Sequence, residues 1–526
     1  MNVRASLALL ALAAAACRAP AVPPGAATGQ EESGAVSEAR GRATRAGSPA
    51  AAAAEQITAD GIRAHIAYLA SDELKGRDTP SPGLEMAAAY IAREFERYGL
   101  EPAGDSDGYL QRYPLMRRAV RTEGVTIRVS GPGGERAFAF GREYFVAPGG
   151  AESAGGALVY GGDVERLDSG AAATARGAVL VLELPGARPQ DWRPVALRGR
   201  RIAQEVGAAA VVFIMDAGVS EALIREEATA TARSVAASQR PPAAYLSAGA
   251  GRELVRVAGR DLDSLRAARA PVALQGASAS LTVPVVEENE YAPNVVGLLR
   301  GSDPELRDTY VIFSAHMDHV GVGRPDAAGD SIYNGADDNA SGTAALLQVA
   351  RAFASLAQPP ARSVVFLAVS GEEKGLLGSR HYSDNPTVPL EGIVANINID
   401  MIGRNSPDSV VAIGQEFSSL GLLVQEIAAE HPELGLTVAP DLWPEERFFF
   451  RSDHFNFARK EIPAIFFFAG VHEDYHRPSD HAELIDTDKA ARVSRLVFYL
   501  GYEIATRREP PQWTEEGLAQ VRAMTR

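Results

Sequence analysis

The stretch Tyr310-Val311-Ile312-Phe313-Ser314-Ala315-His316-Met317-Asp318-His319 decides the fold. Its first four residues are β-branched or aromatic. Two small residues follow, and then a cluster of imidazoles and a carboxylate. Runs at 364–369, 393–399 and 463–468 share that texture, with helical patterns between them. Short strands of near-continuous hydrophobicity are buried on both faces, so an α/β fold is predicted, with a mostly parallel central sheet covered by helices on both faces. In such sheets ligands bind beyond the carboxyl ends of the strands, which makes the residues leaving each strand the ones to read.

Those exits share one chemistry. The second run leads into Ser370-Gly371-Glu372-Glu373, and the third ends Asn398-Ile399-Asp400-Met401. The fourth passes through Ala469-Gly470 to His472-Glu473-Asp474-Tyr475-His476. Between the first two runs, Asn334-Gly335-Ala336-Asp337-Asp338-Asn339-Ala340-Ser341-Gly342 opens a helix containing Leu346, Leu347, Val349 and Phe353. Taken singly, each has an ordinary explanation: a hydrogen-bonded histidine, an acidic helix start, or turn and N-cap chemistry. Together they deliver His, Asp or Glu from separate segments to one sheet edge. The H-E-x-x-H pattern at 472–476 would need a helix with both histidines on one face. It follows a strand ending in glycine and is closed by Pro478, so the match is accidental and only His476 is kept as a ligand candidate.

A chain of 526 residues exceeds one ordinary core. With 52 basic against 67 acidic residues the net charge is −15, and no basic footprint for nucleic acid exists. Arg4, the apolar run 5–16 and Cys17 read as a signal segment (1–17). Ala14-Ala15-Ala16-Cys17 is similar to a lipoprotein cleavage site, although alanine stands where leucine is usual. Export to the cell envelope or beyond is expected, with membrane contact only through a lipid on Cys17. A flexible linker is expected over 18–54, poor in large apolar residues. Two amphipathic helices are expected around Gly76-Arg77-Asp78. The expected divisions are 55–150 for the first part of the main domain, 151–280 for a β-rich insert, 281–510 for the rest of the main domain and 511–526 for a polar tail.

The block from 294 to 508, with the helices of 57–113, resembles the secreted co-catalytic di-zinc exopeptidases of the bacterial aminopeptidase and glutamate carboxypeptidase type. The resemblance is carried by His316-x-Asp318, Gly335-Ala336-Asp337-Asp338-Asn339-Ala340-Ser341-Gly342, Gly371-Glu372-Glu373, Asn398-Ile399-Asp400-Met401 and Tyr475-His476-x-x-x-Asp480. The insert resembles a protease-associated domain. The resemblance implies two divalent metal ions, zinc by ligand type, with cobalt or manganese fitting the same donors. One ion would be held by His316, Asp338 and Asp400, the other by Asp338, Glu373 and His476, and a cis peptide would follow the shared Asp338. Asp318 would accept the second ring N–H of His316. Glu372 would be the general base, and Tyr475 would stabilise an oxyanion or else pack the site wall.

The function so implied is aminopeptidase hydrolysis of a peptide substrate. A carboxypeptidase or dipeptidase is the alternative, and Arg451 is a candidate for its carboxylate contact. A non-catalytic peptide- or glycan-binding surface lipoprotein is the rival from another class, for which a general base would be superfluous. No G-x-S-x-G elbow or nucleotide-binding glycine loop is present.

Overall fold

The structure is a computed structural model that describes residues 48–525, apart from 168–169, 229–230, 235–239 and 268–270. The signal segment, Cys17 and the linker up to residue 47 lie outside the described residues. Folded structure reaches into the linker expected over 18–54: Pro49–Ala54 is a short helix capped by Ser48, whose Oγ accepts from Ala51 N–H at 3.1 Å. Its Ala50, Ala53 and Ala54 are buried in the main core. Alanine is the best helix former and packs closely, so a segment without large apolar residues can still dock.

The two amphipathic helices form as expected, over Ala59–Leu69 and Pro82–Tyr98. The second shows its boundaries in the sequence. Ser81 caps it, Pro82 opens it, and Gly99 closes it in the left-handed region at φ 79°. Leu84, Ala87, Ala88, Ile91 and Phe95 form its buried stripe.

Among the described residues the main sheet has ten strands. At its centre Ser363–Val369, Tyr310–His316, Ile393–Ile399 and Ala464–Phe468 lie side by side and parallel. The flanks are antiparallel: Val285–Leu299 and Leu110–Val120 on one side, Ser409–Ile413 on the other. The parallel part is thus the central four strands, and the rest of the sheet is mixed. One core layer joins one face of the sheet to Gly342–Ala354, the two N-terminal helices and Thr487–Thr506; a second cluster, with Tyr382 and Phe457, covers the other face. The long C-terminal helix lies so close that a Cβ on Gly501 would fall 2.0 Å from the Phe313 ring.

A second sheet, of eight strands among the described residues, runs along the chain from Thr126–Gly131 to Val272–Thr282. The chain leaves the main sheet along Leu110–Val120 and returns along Val285–Leu299. These strands pair with each other from Leu110↔Val295 to Val120↔Val285. The insert therefore begins near 126, not 151; the Pro148-Gly149-Gly150 loop lies within it. It is a mixed α/β unit, with Ser153–Asp163, Val179–Glu183, Ala210–Ile214 and Ala243–Leu246 parallel. The tail also differs from expectation: Glu515–Thr525 is a helix, docked through buried Val521 and a Trp513 Nε1–H bond to Glu461 O at 2.6 Å. No helix among the described residues is long and apolar enough to cross a membrane.

Candidate metal centre

The strand order opens the site. From Tyr310–His316 the chain crosses to Ser363–Val369 on one side, then to Ile393–Ile399 on the other. The crevice lies where that order reverses. His316 ends the first strand there, and Asp400 directly follows Ile399.

Each remaining side chain is set by its own loop. In the 334–342 loop the Asp338–Asn339 peptide is cis, as the resemblance implied. Asp480 accepts from the backbone N–H of Asp337 at 3.1 and 3.0 Å and of Asp338 at 3.2 Å. Asn339 Oδ1 accepts from Gly342 N–H at 2.8 Å and Met401 N–H at 3.1 Å, stitching this loop to the Asp400 exit. Gly371 turns the second exit at φ 70°, where a Cβ would fall 2.6 Å from the Tyr113 hydroxyl; only glycine suits both demands. Residues 472–476 form no helix, and His472 points instead to Asp337 Oδ2 at 3.3 Å.

The five expected ligands converge. His316 Nε2 lies 3.3 Å from both Asp338 Oδ1 and Asp400 Oδ1. His476 Nε2 lies 3.0 Å from Asp338 Oδ2 and 3.1 Å from Glu373 Oε2. Asp338 therefore presents one oxygen to each group. Metal bonds of about 2.0–2.1 Å in a tetrahedron separate neighbouring ligand atoms by about 3.3 Å, close to these spacings. The buried nitrogen of His476 and Glu373 Oε1 have no aligned hydrogen-bond partner despite these neighbours. Such atoms face a common point, which is the behaviour of a donor set for divalent ions.

His319 joins the second group, with Nδ1 2.8 Å from Glu373 Oε1 and 3.7 Å from Asp338 Oδ2. The sequence reading passed over it, although the exit displayed it. Three residues past the end of the strand, a side chain has no direction fixed by the pleat. Asp318 behaves differently from expectation. Its backbone carbonyl is 3.2 Å from His316 Nδ1, whereas its carboxylate stands off at 3.7 Å and is engaged elsewhere. Ser452, also missed, donates to Asp400 Oδ2 at 2.8 Å and accepts from Asn398 Nδ2 at 2.8 Å.

Glu372 belongs to neither ligand group yet lines the same cleft as His316, Asp338 and Asp400. Burial, reinforced by Asp453, Asp400 and Glu373, raises its carboxyl well above the usual range against the pull of His316. Burial likewise pushes Asp453 up to about 7. Burial would lower the His476 imidazole, but Asp338 and Glu373 outweigh it and raise it to about 10. Positive charge is favoured at this point. Tyr475 stacks on His476 at 4.0 Å, and burial raises its phenol, so it stays protonated at neutral pH. Across the cleft stand Met401, Phe448, Phe466, Phe468 and Val471, with Arg451 over the Phe448 ring at 4.7 Å.

Residues 294–501 match the family model described as Peptidase family M28. Aminopeptidase YwaD of Bacillus subtilis is 27% identical over 237 residues, 43% of this chain and 47% of its own length. A probable leucine aminopeptidase of Arthroderma benhamiae is 25% identical over 240 residues, 44% of this chain and 62% of its own length. The chain spans about half the length of the curated relatives it matches. Among solved structures, an aminopeptidase from Aneurinibacillus sp. strain AM-1 has a TM-score of 0.53 at 19% identity, covering 87% of this chain and 96% of that one. At that identity the likeness is one of fold.

Proposed function

We propose, from the match of residues 294–501 to the model of Peptidase family M28, that this protein is a zinc-dependent exopeptidase that removes N-terminal residues from peptides. One observation carries the reading. Asp338 offers an oxygen to each of two donor groups, and a carboxylate outside both, Glu372, faces the same cleft. His316, Asp338 and Asp400 would hold one ion; Asp338, Glu373 and His476 would hold the other, with His319 beside it. Ions bound there would supply Lewis-acid polarisation of the scissile carbonyl and a lower pKa for the attacking water.

The chain's own groups do the rest. Glu372 accepts the proton of the attacking water and returns it to the leaving amine. The Tyr475 hydroxyl, kept protonated by its surroundings, donates a hydrogen bond toward the developing oxyanion. The apolar wall of Met401, Phe466 and Phe468 accepts a substrate side chain and excludes water. We further propose that the chain is exported, from the Arg4-to-Cys17 segment, and that the insert is a protease-associated domain.

A carboxypeptidase or dipeptidase is the second reading, favoured by Arg451 on the cleft wall. Cleavage of one peptide series separates the two, using free, N-acetylated and C-amidated forms on zinc-loaded protein. Loss of cleavage on N-acetylation, with amidation tolerated, is expected. The reverse pattern would replace the aminopeptidase reading with the carboxypeptidase one.

A further inference from the structure

Glu372 sits on a loop, so its direction depends on what holds the backbone beneath it. Two successive N–H groups there end on one relay. Gly371 N–H donates to Thr79 Oγ1 at 3.0 Å, and Glu372 N–H donates to Asp318 Oδ1 at 3.3 Å. The Thr79 hydroxyl in turn donates to Asp318 Oδ2 at 2.8 Å and closes the circuit. Thr79 is 1% exposed and Asp318 fully buried, so water cannot substitute for either bond.

The two residues before Thr79 are themselves clamped. Arg77 Nε donates to Met317 O at 2.9 Å, while its Nη1 and Nη2 reach Asn334 O at 2.6 Å and Gly335 O at 3.0 Å. Those carbonyls lie on the loops that carry His316 and Asp338. Asp78 pairs with Lys374 at 2.7 Å, next to Glu373. Residues 77–79 thus fasten two strand exits and the 334–342 loop together from far upstream, outside the 294–501 stretch that matches the family model.

We infer that Thr79 is a positioning residue for the general base: by accepting from Gly371 N–H and donating to Asp318, its hydroxyl fixes how Glu372 faces the cleft. The inference rests on the reading of Glu372 as base. A hydroxyl both donates and accepts, so valine keeps the shape and loses both bonds, whereas serine keeps both.

The test is a coupling cycle on the full chain loaded with zinc: Thr79→Val, Thr79→Ser, Glu372→Gln and the Thr79→Val/Glu372→Gln double variant, each measured for kcat, KM and metal content. Thr79→Val is expected to lower kcat roughly 10- to 100-fold, the cost of an ångström-scale misplacement, with KM and metal content unchanged. Thr79→Ser should restore the rate. In the Glu372→Gln background the valine should cost nothing further, because the residue it aims is already disabled. Equal fractional losses in both backgrounds would overturn the inference and leave the base assignment intact. So would an unchanged kcat, or metal content falling in step with activity. Wild-type turnover by Glu372→Gln would overturn the base assignment and this inference together. Should the valine variant not fold, Thr79→Ala, which also deletes both bonds, runs the same cycle.

Discussion

Replacing Glu372 with glutamine separates proton transfer from metal binding more cleanly than any other single change at this site. The amide has the shape of the carboxyl but cannot accept a proton in the relevant range. Glu372 belongs to neither donor group, and its backbone bond to Asp318 does not depend on the side chain. The ligand spacings of 3.0–3.3 Å around Asp338 should therefore survive. General acid–base transfer is worth about 10²–10⁴ in rate, which at about 1.36 kcal/mol per decade is roughly 2.7–5.4 kcal/mol of barrier. The assay is kcat on an unblocked peptide beside metal per chain by atomic emission, on protein passed through the same column. The expected result is a kcat loss in that range with metal content equal to wild type. Metal lost in parallel with activity would show Glu372 to be a ligand. A loss smaller than tenfold would show that another group moves the proton.

Asp338→Asn should lower occupancy at both donor groups together when metal content is titrated against free zinc, since both share that carboxylate; loss at one site alone would contradict the bridge. Ser452→Ala strands Asp400 Oδ2 and the buried Asn398 amide. It should cost about 1–3 kcal/mol in denaturant unfolding, and zinc affinity should fall roughly 10–100-fold; unchanged affinity would show that the hydroxyl does not orient the ligand. His65 is buried between the Tyr90 hydroxyl at 2.7 Å and Gln348 Nε2 at 3.0 Å. Burial lowers it from 6.5 to about 4, against the pull of Glu94 and with the help of Arg97 and Arg351. The unfolded chain therefore binds more protons between those values, and stability falls as pH drops through that window. His65→Gln should flatten this part of the stability–pH curve, and parallel curves would refute the assignment.

The sequence determined the local elements and the identity of most of the chemistry. Strand runs at 310–313, 364–369, 393–399 and 463–468 were legible because a strand buried on both faces must be continuously apolar. The helix Pro82–Tyr98 was legible because its cap, opening proline and closing glycine are short-range signals. His316, Asp338, Glu372, Glu373, Asp400 and His476 stood among the polar residues at or beyond the strand ends, and it was the resemblance to the di-zinc exopeptidases that singled them out. Strand direction was not: the antiparallel flanks and the start of the insert at Thr126 are matters of pairing between distant segments. Ser452, Arg77 and Thr79 were hidden for the same reason, whereas His319 stood in view at the exit and lacked only a fixed direction. Nothing near Thr79 in the chain announces that its hydroxyl will meet Gly371, 292 residues away. Periodicity and turn chemistry act over a few residues, whereas the partner of a buried polar group is chosen only when the whole chain packs and every donor must find an acceptor.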